Sequence, residues 1–547
     1  MRSWPAERGP RNVGADVETV SALTIPALVA EAARRHGDRP AARGGSSDGP
    51  CRSFAEVFEA MERGASALEA AGASPRANVL LVLEPCVDWM IGLAAILRAN
   101  CVAVPMPHDT PPDFVRAIAA ACQSPIVVHG DRSAPQLAAL QGITAIHASA
   151  LRSAEPADRP ASVADGNDVA MLAFTSGSTQ GPRAVELTHA NLLANLRGLL
   201  AIRGGSPDDA MLALLPPSHL FALVTGILAP LACGAPVVFP GSLLPNRLID
   251  TLRDGRITHA IAVPALAECL YREILDRLID AGLAAESLRR EGPAEARRAL
   301  QSKSDEESLE IRNALRSAIG PRFQSLIVGG AAINPDLAEV IASVGIGVEL
   351  GYGLTEAGPI VSVGRVGQCP RRSVGQPIPG VEVRIDAIEE ILVRSPGVMR
   401  SYFRDPVGTA AAIRDGWLCT GDRGHRDGNG NLFITGRIKE AMVLASGRTV
   451  YPEEIEPYYA SARFAEICVA GVPDVEGNDV PSLFVVPAPS VTAEDIAAAF
   501  EALTRAAPEG LRVARFVLRA APLPRTGSGK VRRKAVVEHY VRESALR

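Results

Sequence analysis

The chain has 547 residues, of which 47% are hydrophobic and 21% charged, and its 56 basic and 61 acidic residues give a formal net charge of −5. This usage is typical of globular proteins with a sizeable core and excludes a largely disordered chain. The acidic balance and the aromatic content of 4% disfavour a nucleic-acid binder, which would carry a basic surface and aromatic stacking platforms.

The nine cysteines are scattered along the chain, and no two of them form a CxxC pair. A disulfide scaffold or a zinc site requires closer, patterned spacing. The cysteines therefore predict reduced thiols in a cytoplasmic protein.

No segment is expected to enter a membrane. The N-terminus has no apolar run that could form a signal-peptide core. The stretch from Met211 to Asn246 has no acidic or basic residue except His219, but prolines and glycines interrupt it at Pro216, Pro217, Gly226, Pro230, Gly234, Pro236 and Pro240. Because a membrane span needs a continuous helix of about 20 apolar residues, this stretch is predicted to be buried soluble core.

Helical and strand patterns alternate between Leu23 and Val128. This alternation predicts the α/β class, with a largely parallel sheet covered by helices on both faces. The patterns predict helices from Ile25 to Arg35, Phe54 to Ala71 and Val87 to Ala99, and strands from Asn78 to Leu83, Cys101 to Pro105 and Pro125 to Val128.

The character of the sequence changes after Gly436, where the charged stretch Arg437 to Glu440 precedes an α+β pattern. We expect a large N-terminal domain of β-sheets packed with helices, residues 1–436, and a small mobile α+β C-terminal domain, residues 437–547. The second domain would have about 110 residues, which is within the usual range.

The strongest local signal is the loop after the apolar strand from Val169 to Phe174. The loop consists of hydroxyl residues and glycines and leads to Arg183, and Thr188 is suited to cap the helix that follows. Glycines let backbone N–H groups turn towards an anion, while hydroxyls and the arginine add donors and charge. This combination suits a phosphate chain, although such a loop taken alone is more often a simple turn.

Two better-known nucleotide motifs are excluded. A P-loop requires the pattern GxxxxGK[ST], which neither the hydroxyl-rich loop nor the segment from Gly527 to Val531 completes. The segment Gly351-Tyr-Gly353 begins like a dinucleotide fingerprint, but Glu356 stands where the third glycine belongs. A Rossmann dehydrogenase is therefore disfavoured.

Three further segments place reactive side chains in turns. Val348 to Glu356 is an apolar strand that ends in a glycine turn with an aromatic ring, a hydroxyl and a carboxylate. Gly416 to Asp422 ends with an acid that is predicted to lie in a turn. Leu523 to Lys530 places a lysine on a flexible tip near the C-terminus.

In this order and spacing, the segments resemble the adenylate-forming superfamily of acyl-CoA synthetases, firefly luciferases and adenylation domains of peptide synthetases. The resemblance extends from about Leu23 to Val536. Within the superfamily the chain is most similar to medium- to long-chain fatty acyl-CoA ligases, in the stretches Leu215 to Phe221, Leu350 to Glu356 and Gly436 to Gly447. The resemblance implies a cytoplasmic acid–thiol ligase that uses ATP, Mg²⁺ and CoA.

The resemblance also assigns nucleotide-binding roles. The family's phosphate loop matches Thr175, Ser176, Gly177, Ser178, Thr179 and Gly181, and Arg183 stands where lysine is usual. The adenine wall matches Gly329, Gly330, Ala331 and Tyr352, with the tyrosine stacking on the base. Thr355 would contact the α-phosphate, Glu356 would hold Mg²⁺, and Asp422, with Arg437 close by, would accept hydrogen bonds from the ribose hydroxyls.

The remaining roles concern the acid and the second step. His219, Gly329 and Gly353 match the acyl pocket, Lys439 matches the interdomain hinge, and Gly447 matches the tunnel for the thiol. Lys530 matches the lysine that bridges the carboxylate and the α-phosphate. The resemblance thus makes the large domain the ATP- and acyl-binding part and the small domain a lid that carries the catalytic lysine.

The phosphate loop departs from the family pattern at Gln180, Arg183 and Ala184. Arginine keeps the charge of lysine, but a planar guanidinium is not equivalent to a compact ammonium. The departure leaves open a degenerate, non-catalytic homologue that only binds acyl groups and nucleotides. An acyl-AMP ligase that loads the phosphopantetheine of an acyl carrier protein is a second alternative. The acid and the choice between monomer and homodimer also stay open.

Overall fold

A computed structural model of the chain describes residues 20–45, 49–137, 142–155, 164–175, 183–242, 244–459, 461, 463–474, 477–489, 491–525 and 531–545. In this part of the chain, helices pack on two large β-sheets and three smaller ones. The predicted α/β class is confirmed.

The α-helices of the described residues are, in chain order, α1 (Ile25–His36), α2 (Phe54–Ala70), α3 (Val87–Arg98), α4 (Pro112–Cys122), α5 (Ala134–Leu137), α6 (Ala148–Ser153), α7 (His189–Arg203), α8 (Leu220–Leu223), α9 (Ala229–Cys233), α10 (Pro245–Asp254), α11 (Pro264–Asp280), α12 (Leu288–Glu291), α13 (Pro293–Gln301), α14 (Asp305–Ile319), α15 (Pro335–Ser343), α16 (Pro406–Ala412), α17 (Pro452–Ile455), α18 (Ala493–Ala506) and α19 (Arg533–Ala545). A π-helical turn, Val224–Leu228, joins α8 to α9, and the 3₁₀ turns are Thr355–Ala357, Ile438–Glu440, Glu456–Tyr458 and Glu509–Leu511.

The β-strands of the same residues are β1 (Pro40–Gly44), β2 (Cys51–Ser53), β3 (Asn78–Val82), β4 (Val102–Met106), β5 (Ile126–His129), β6 (Thr144–His147), β7 (Val169–Phe174), β8 (Ala184–Thr188), β9 (Met211–Ala213), β10 (Val237–Phe239), β11 (His259–Ala262), β12 (Ser325–Gly329), β13 (Gly347–Gly353), β14 (Ile360–Arg365), β15 (Gln376–Pro377), β16 (Glu382–Ile385), β17 (Glu390–Arg394), β18 (Ser401–Tyr402), β19 (Ile413–Arg414), β20 (Trp417–Arg426), β21 (Leu432–Arg437), β22 (Met442–Val443), β23 (Thr449–Val450), β24 (Phe464–Pro473), β25 (Asp479–Pro487) and β26 (Arg515–Leu518).

The six elements predicted between Leu23 and Val128 are all present, and none of their ends is shifted by more than one residue. Local side-chain chemistry explains where several helices begin. In α2, Ser53 and Glu56 form a capping box, and in α7 Thr188 accepts from the Asn191 backbone N–H, as predicted. Such caps satisfy backbone donors that the first helical turn leaves without partners.

A seven-stranded sheet runs in the order β18-β8-β7-β4-β3-β5-β6. Its strands β3 to β7 are parallel, and β8 and β18 add antiparallel pairs at one edge. Successive side chains of a strand point to opposite faces. Accordingly, Val79 and Leu81 of β3 join one apolar cluster and Leu80 and Val82 join another, so helices cover both faces.

A nine-stranded sheet runs in the order β15-β14-β13-β12-β11-β9-β10-β1-β2. Its central strands are parallel, so the carboxyl ends of β11, β12 and β13 meet at one edge. Ligands of open α/β sheets bind outside this edge. The turns after Gly329 and Gly353, which the sequence singled out, both follow these ends.

The described residues from Met442 onward carry their own hydrophobic clusters around the sheet β24-β25-β26, and the members of these clusters all lie between Met442 and Tyr540. The clusters of the preceding part contain residues up to Ile434 and none of these. The domain boundary after Gly436 and the mobility of the small domain stay predictions.

In the described part of the chain, no helix is both long and apolar enough to cross a membrane. The stretch weighed above as a span, Met211 to Asn246, instead forms β9, the helical segment Leu220 to Cys233 and β10. Nearly all of the apolar side chains in it are buried in the hydrophobic clusters.

Candidate active site

The base of the hydroxyl-rich loop is closed by the pairing of β7 with β8. Phe174 lies opposite Ala184, and the backbone N–H of Thr175 donates to the carbonyl oxygen of Arg183 over 2.9 Å. Thr175 and Arg183 therefore stand at the two ends of the loop, where β7 leaves the sheet. The predicted phosphate-binding residues Ser176, Gly177, Ser178, Thr179 and Gly181, together with Gln180, lie outside the described residues.

Tyr352, Asp422 and Arg437 form a hydrogen-bonded group. The Tyr352 hydroxyl donates to Asp422 Oδ2 over 2.8 Å, and Arg437 Nε lies 3.0 Å from Asp422 Oδ1. Asp422 is only 4% exposed, so its charge needs these partners. Each carboxylate oxygen has a second lone pair, so the group can still accept hydrogen bonds from the hydroxyls of a ribose.

The pairing of β20 with β21 places Asp422 directly opposite Arg437. The prediction that Asp422 lies in a turn is wrong, because β20 continues to Arg426. Gly421 has a φ of +71°, which glycine tolerates, so the strand continues through this irregular position. Burial raises the pKa of the Tyr352 phenol well above its usual value, and the Asp422 charge raises that pKa further, so the phenol stays a donor.

Glu356 follows β13 in the 3₁₀ turn Thr355–Ala357, at the edge where the parallel strands end. Its carbonyl oxygen accepts from the Met399 N–H over 2.8 Å, and its Oε1 accepts from the Tyr402 hydroxyl over 2.9 Å. Gly353 makes the turn possible, because a Cβ there would lie 1.9 Å from the Pro359 carbonyl oxygen.

Arg183 stacks on the ring of Tyr402, whose hydroxyl bonds the Glu356 carboxylate. Its Cζ lies 5.1 Å from the centre of the Tyr402 ring, and its Nε is 3.8 Å from Asp405 Oδ2. The end of the loop, the ring and Glu356 are therefore neighbours. Tyr402 could not be predicted as a site residue, because nothing in its local sequence pattern distinguishes it from a core aromatic residue.

Gly329, one of the residues predicted for the acyl pocket, lies against Phe221, whereas Gly353, also predicted for this pocket, lies against Pro359. A Cβ on Gly329 would lie 2.9 to 3.3 Å from three atoms of the Phe221 ring, and a Cβ on Gly351 would lie 3.8 Å from that ring. His219 is the N-cap residue of α8, the helix that carries Phe221. Gly330, with φ +88°, and Ala331 follow Gly329 and are exposed.

The predicted hinge and thiol-tunnel residues lie in two turns of the C-terminal part. Lys439 is in the 3₁₀ turn Ile438–Glu440, and Gly447, with φ +78°, is in the turn between β22 and β23. The Gly447 N–H donates to the Leu444 carbonyl oxygen over 2.8 Å.

The predicted catalytic Lys530 lies outside the described residues, but both ends of its loop are described. Arg525 and Val531 form an antiparallel bridge, and the Arg532 N–H donates to the Pro524 carbonyl oxygen over 2.7 Å. Arg533 then bonds Glu440 over 2.8 Å, so the described ends of the loop and of the predicted hinge are in direct contact.

The described residues could hold Mg²⁺ through Glu356, together with the phosphates of a bound nucleotide. Among them, no group of three or more His, Cys, Asp or Glu could hold a metal ion. Mg²⁺ at nucleotide sites needs only one or two carboxylates, since substrate phosphates and waters complete its shell. Glu356, which follows Thr355 at the edge of the sheet, fits that role.

Three comparisons with known proteins agree. A family model described as AMP-binding enzyme matches residues 29–403, and the chain belongs to this family. The chain is 28% identical to a feruloyl-CoA synthase of Amycolatopsis sp, over 88% of this chain and 93% of that protein. It is 28% identical to the long-chain-fatty-acid–CoA ligase FadD15 of Mycobacterium bovis, over 74% and 72%.

Among solved structures, the fold is similar to that of o-succinylbenzoate CoA synthetase from Bacillus subtilis in complex with its acyl-adenylate intermediate. The TM-score is 0.76 at 20% identity, and the match covers 93% of this chain and 97% of that one. At this identity the likeness concerns the fold alone. The predicted membership of the adenylate-forming superfamily is confirmed, and so is the prediction of an acid–thiol ligase at the level of the family.

Proposed function

We propose that this enzyme activates a fatty acid with ATP and transfers the acyl group to the thiol of CoA. In the first step a carboxylate oxygen bonds to the α-phosphorus and the bond to the β-phosphate oxygen breaks, which gives an acyl-adenylate and pyrophosphate. In the second step the thiol sulfur bonds to the acyl carbon, AMP leaves, and the thiol proton passes to solvent.

The observation that carries the proposal is the group of Tyr352, Asp422 and Arg437 at the edge of the sheet that also holds Glu356. The Tyr352 ring can stack on an adenine, and the buried Asp422 carboxylate can bind the hydroxyls of a ribose. The nearby Glu356 carboxylate can hold Mg²⁺ bound to the phosphates. When bound, Mg²⁺ supplies charge that offsets the phosphates during an in-line displacement. The described ends of the loop, Thr175 and Arg183, border the same region.

Lys530 and Arg183 would contribute the remaining positive charge. A carboxylate and an α-phosphate repel each other, so donors that neutralise their developing charge lower the barrier. We assign Lys530 to the bridge between the two groups and Arg183 to the phosphate chain. The small domain, residues 437–547, would turn about Lys439 between the two steps, as moving lids do in other enzymes.

The relatives are named for different acids, so they do not determine which acid this enzyme activates. One relative is named for feruloyl-CoA and another for long-chain fatty acids. We favour a fatty acid, because the segments around Phe221, Glu356 and Lys439 resemble those of fatty acyl-CoA ligases. We also assign the enzyme to the cytoplasm, since its nine cysteines are all free thiols.

The test is acid-dependent exchange between ATP and labelled pyrophosphate, measured across a panel from hexanoate to palmitate with ferulate and indoleacetate included. Exchange with the fatty acids, followed by acyl-CoA formation when CoA is added, would support the proposal. Exchange that leads to product only with a holo carrier protein would favour an acyl-AMP ligase. No exchange with any acid would favour a non-catalytic binder.

A further inference from the structure

Tyr402 connects the end of the hydroxyl-rich loop to the carboxylate assigned to Mg²⁺. We propose that Tyr402 is a positioning residue, which orients the Glu356 carboxylate for Mg²⁺ bound to ATP. This inference rests on the proposed function, because it requires that Glu356 hold that ion. The 2.9 Å hydrogen bond from the Tyr402 hydroxyl to Glu356 Oε1 is the contact that carries it.

The position of Tyr402 is set by its backbone and not by its phenol. Strand β18 pairs with β8, which places Tyr402 opposite Val185. The Tyr402 N–H donates to Thr409 Oγ1 over 2.9 Å, and the Met399 N–H donates to the Glu356 carbonyl oxygen over 2.8 Å. Because these bonds are independent of the hydroxyl, removal of the hydroxyl alone should leave the segment in place.

The phenol acts on one oxygen of the carboxylate. Burial raises the pKa of Tyr402 above its usual value, and the charge of Glu356 raises that pKa further, so the group is a donor at any ordinary pH. The bond occupies Oε1, while the structure gives Oε2 no hydrogen-bond partner among the described residues. A hydrogen bond from a phenol to one carboxylate oxygen restricts the rotation of the carboxylate. It thereby leaves Oε2 as the oxygen available to the ion.

Arg183 stacks on the face of the Tyr402 ring. The guanidinium lies 5.1 Å from the ring centre and its Nε is 3.8 Å from Asp405 Oδ2. A planar guanidinium stacks on an aromatic face better than an ammonium does. The arginine that departs from the family's usual lysine is therefore suited to this ring, and it relates the phosphate loop to the Mg²⁺ carboxylate.

The test is Tyr402→Phe, with Tyr540→Phe as the matched control for loss of a phenol outside the site. Two quantities are measured: the affinity for ATP by calorimetry with and without Mg²⁺, and the Mg²⁺ dependence of acid-dependent pyrophosphate exchange. We expect the Mg²⁺-dependent gain in ATP affinity to fall by about tenfold, as loss of a hydrogen bond to a charged group implies. The KM for the acid and the melting temperature should match those of the control.

The outcomes separate this inference from the proposed function. If the wild-type enzyme shows exchange and Mg²⁺-dependent ATP binding, and Tyr402→Phe behaves like Tyr540→Phe, the positioning role is wrong while the function stands. If the wild-type enzyme shows neither property, both are wrong. Should Tyr402→Phe not fold, Glu356→Gln serves instead. Its ATP affinity must become insensitive to Mg²⁺ if Glu356 holds the ion, and an undiminished response would overturn the inference.

Discussion

Arg533 and Glu440 form an ion pair in which Nη1 of the arginine lies 2.8 Å from Oε2 of the glutamate. Arg533 follows the predicted catalytic lysine by three residues, and Glu440 directly follows the predicted hinge residue. The same guanidinium bonds both carboxylate oxygens of Glu456 and lies 3.5 Å from Glu453. One side chain thus ties the segment after the lysine loop to the segment after the hinge.

This cluster predicts a pH dependence of stability. Burial raises the pKa of Glu453 to about 7, Arg533 opposes that rise, and Glu440 and Glu456 add to it. Because the fold favours the neutral carboxyl, the stability it provides is complete below the ordinary pKa of 4.5 and is lost as the pH rises through about 7. The loss should be on the order of 1–3 kcal/mol.

The measurement is chemical unfolding of the full chain at pH 5.5 and pH 8. Glu453→Gln keeps a neutral amide at both values, so it should lose less stability than the wild type between them. Glu538→Gln, on the exposed face of α19, is the control and should follow the wild type. Equal losses for Glu453→Gln and the wild type would show that Glu453 does not titrate in this range.

Lys530→Ala tests the assignment of the bridging lysine. We expect acid-dependent pyrophosphate exchange to fall by about 10²- to 10³-fold, because a donor to the transition state is lost. Lys534→Ala is the control, since Lys534 is 69% exposed and its ion pair with Glu538 is as long as 4.0 Å. Transfer of a pre-formed acyl-adenylate to CoA should be nearly unchanged. An equal loss in both half-reactions would argue against a role confined to adenylation.

Asp422→Asn and Tyr352→Phe test the nucleotide side of the site. The first removes the charge shared with Arg437, and the second removes the donor to Asp422 Oδ2. We expect the KM for ATP to rise by about 10-fold or more for Asp422→Asn, since hydrogen bonds to charged groups are worth about 1.5–3 kcal/mol. Tyr352→Phe should act in the same direction but more weakly. A rise in the KM for the acid with no change for ATP would contradict the assignment.

Phe221→Ala tests the acyl pocket. The ring of Phe221 occupies the space beside Gly329, so its loss should admit bulkier acids. We expect kcat/KM for the bulkiest accepted acid to rise relative to that for the smallest by about tenfold or more, since one methylene group in a pocket is already worth about tenfold. The KM for ATP serves as the internal control. An unchanged acid profile would place the pocket elsewhere.

The sequence predicts local structure well in this chain because local chemistry determines it. The capping residues Thr188 and Ser53 and the apolar periodicity of α1 act within a few residues, so their consequences can be read directly. Contacts between distant segments have no such signature. Arg183 and Tyr402 meet because β18 pairs with β8. Arg533 of α19 and Glu440 of a 3₁₀ turn meet although they lie 93 positions apart in the sequence.

The same contrast between local signals and distant contacts applies to the candidate site. The resemblance to the adenylate-forming superfamily predicts roles for Glu356, Asp422 and Arg437 from the order and spacing of their segments. Their partners were not predictable, since Tyr402 is an ordinary aromatic residue until β18 pairs with β8. Asp422 was predicted in a turn because Gly421 usually signals one, whereas its pairing with β21 keeps β20 intact.

The most direct test of an acyl-adenylate route is to follow ¹⁸O from a labelled carboxylate. When the acid attacks the α-phosphorus of ATP, one carboxylate oxygen becomes the bridge to phosphorus, and it leaves with AMP when the thiol attacks. Mass spectrometry of the products after turnover with CoA should therefore find one ¹⁸O atom in AMP and unlabelled pyrophosphate. Formation of ADP with label in phosphate, or of AMP without label, would contradict the proposed chemistry.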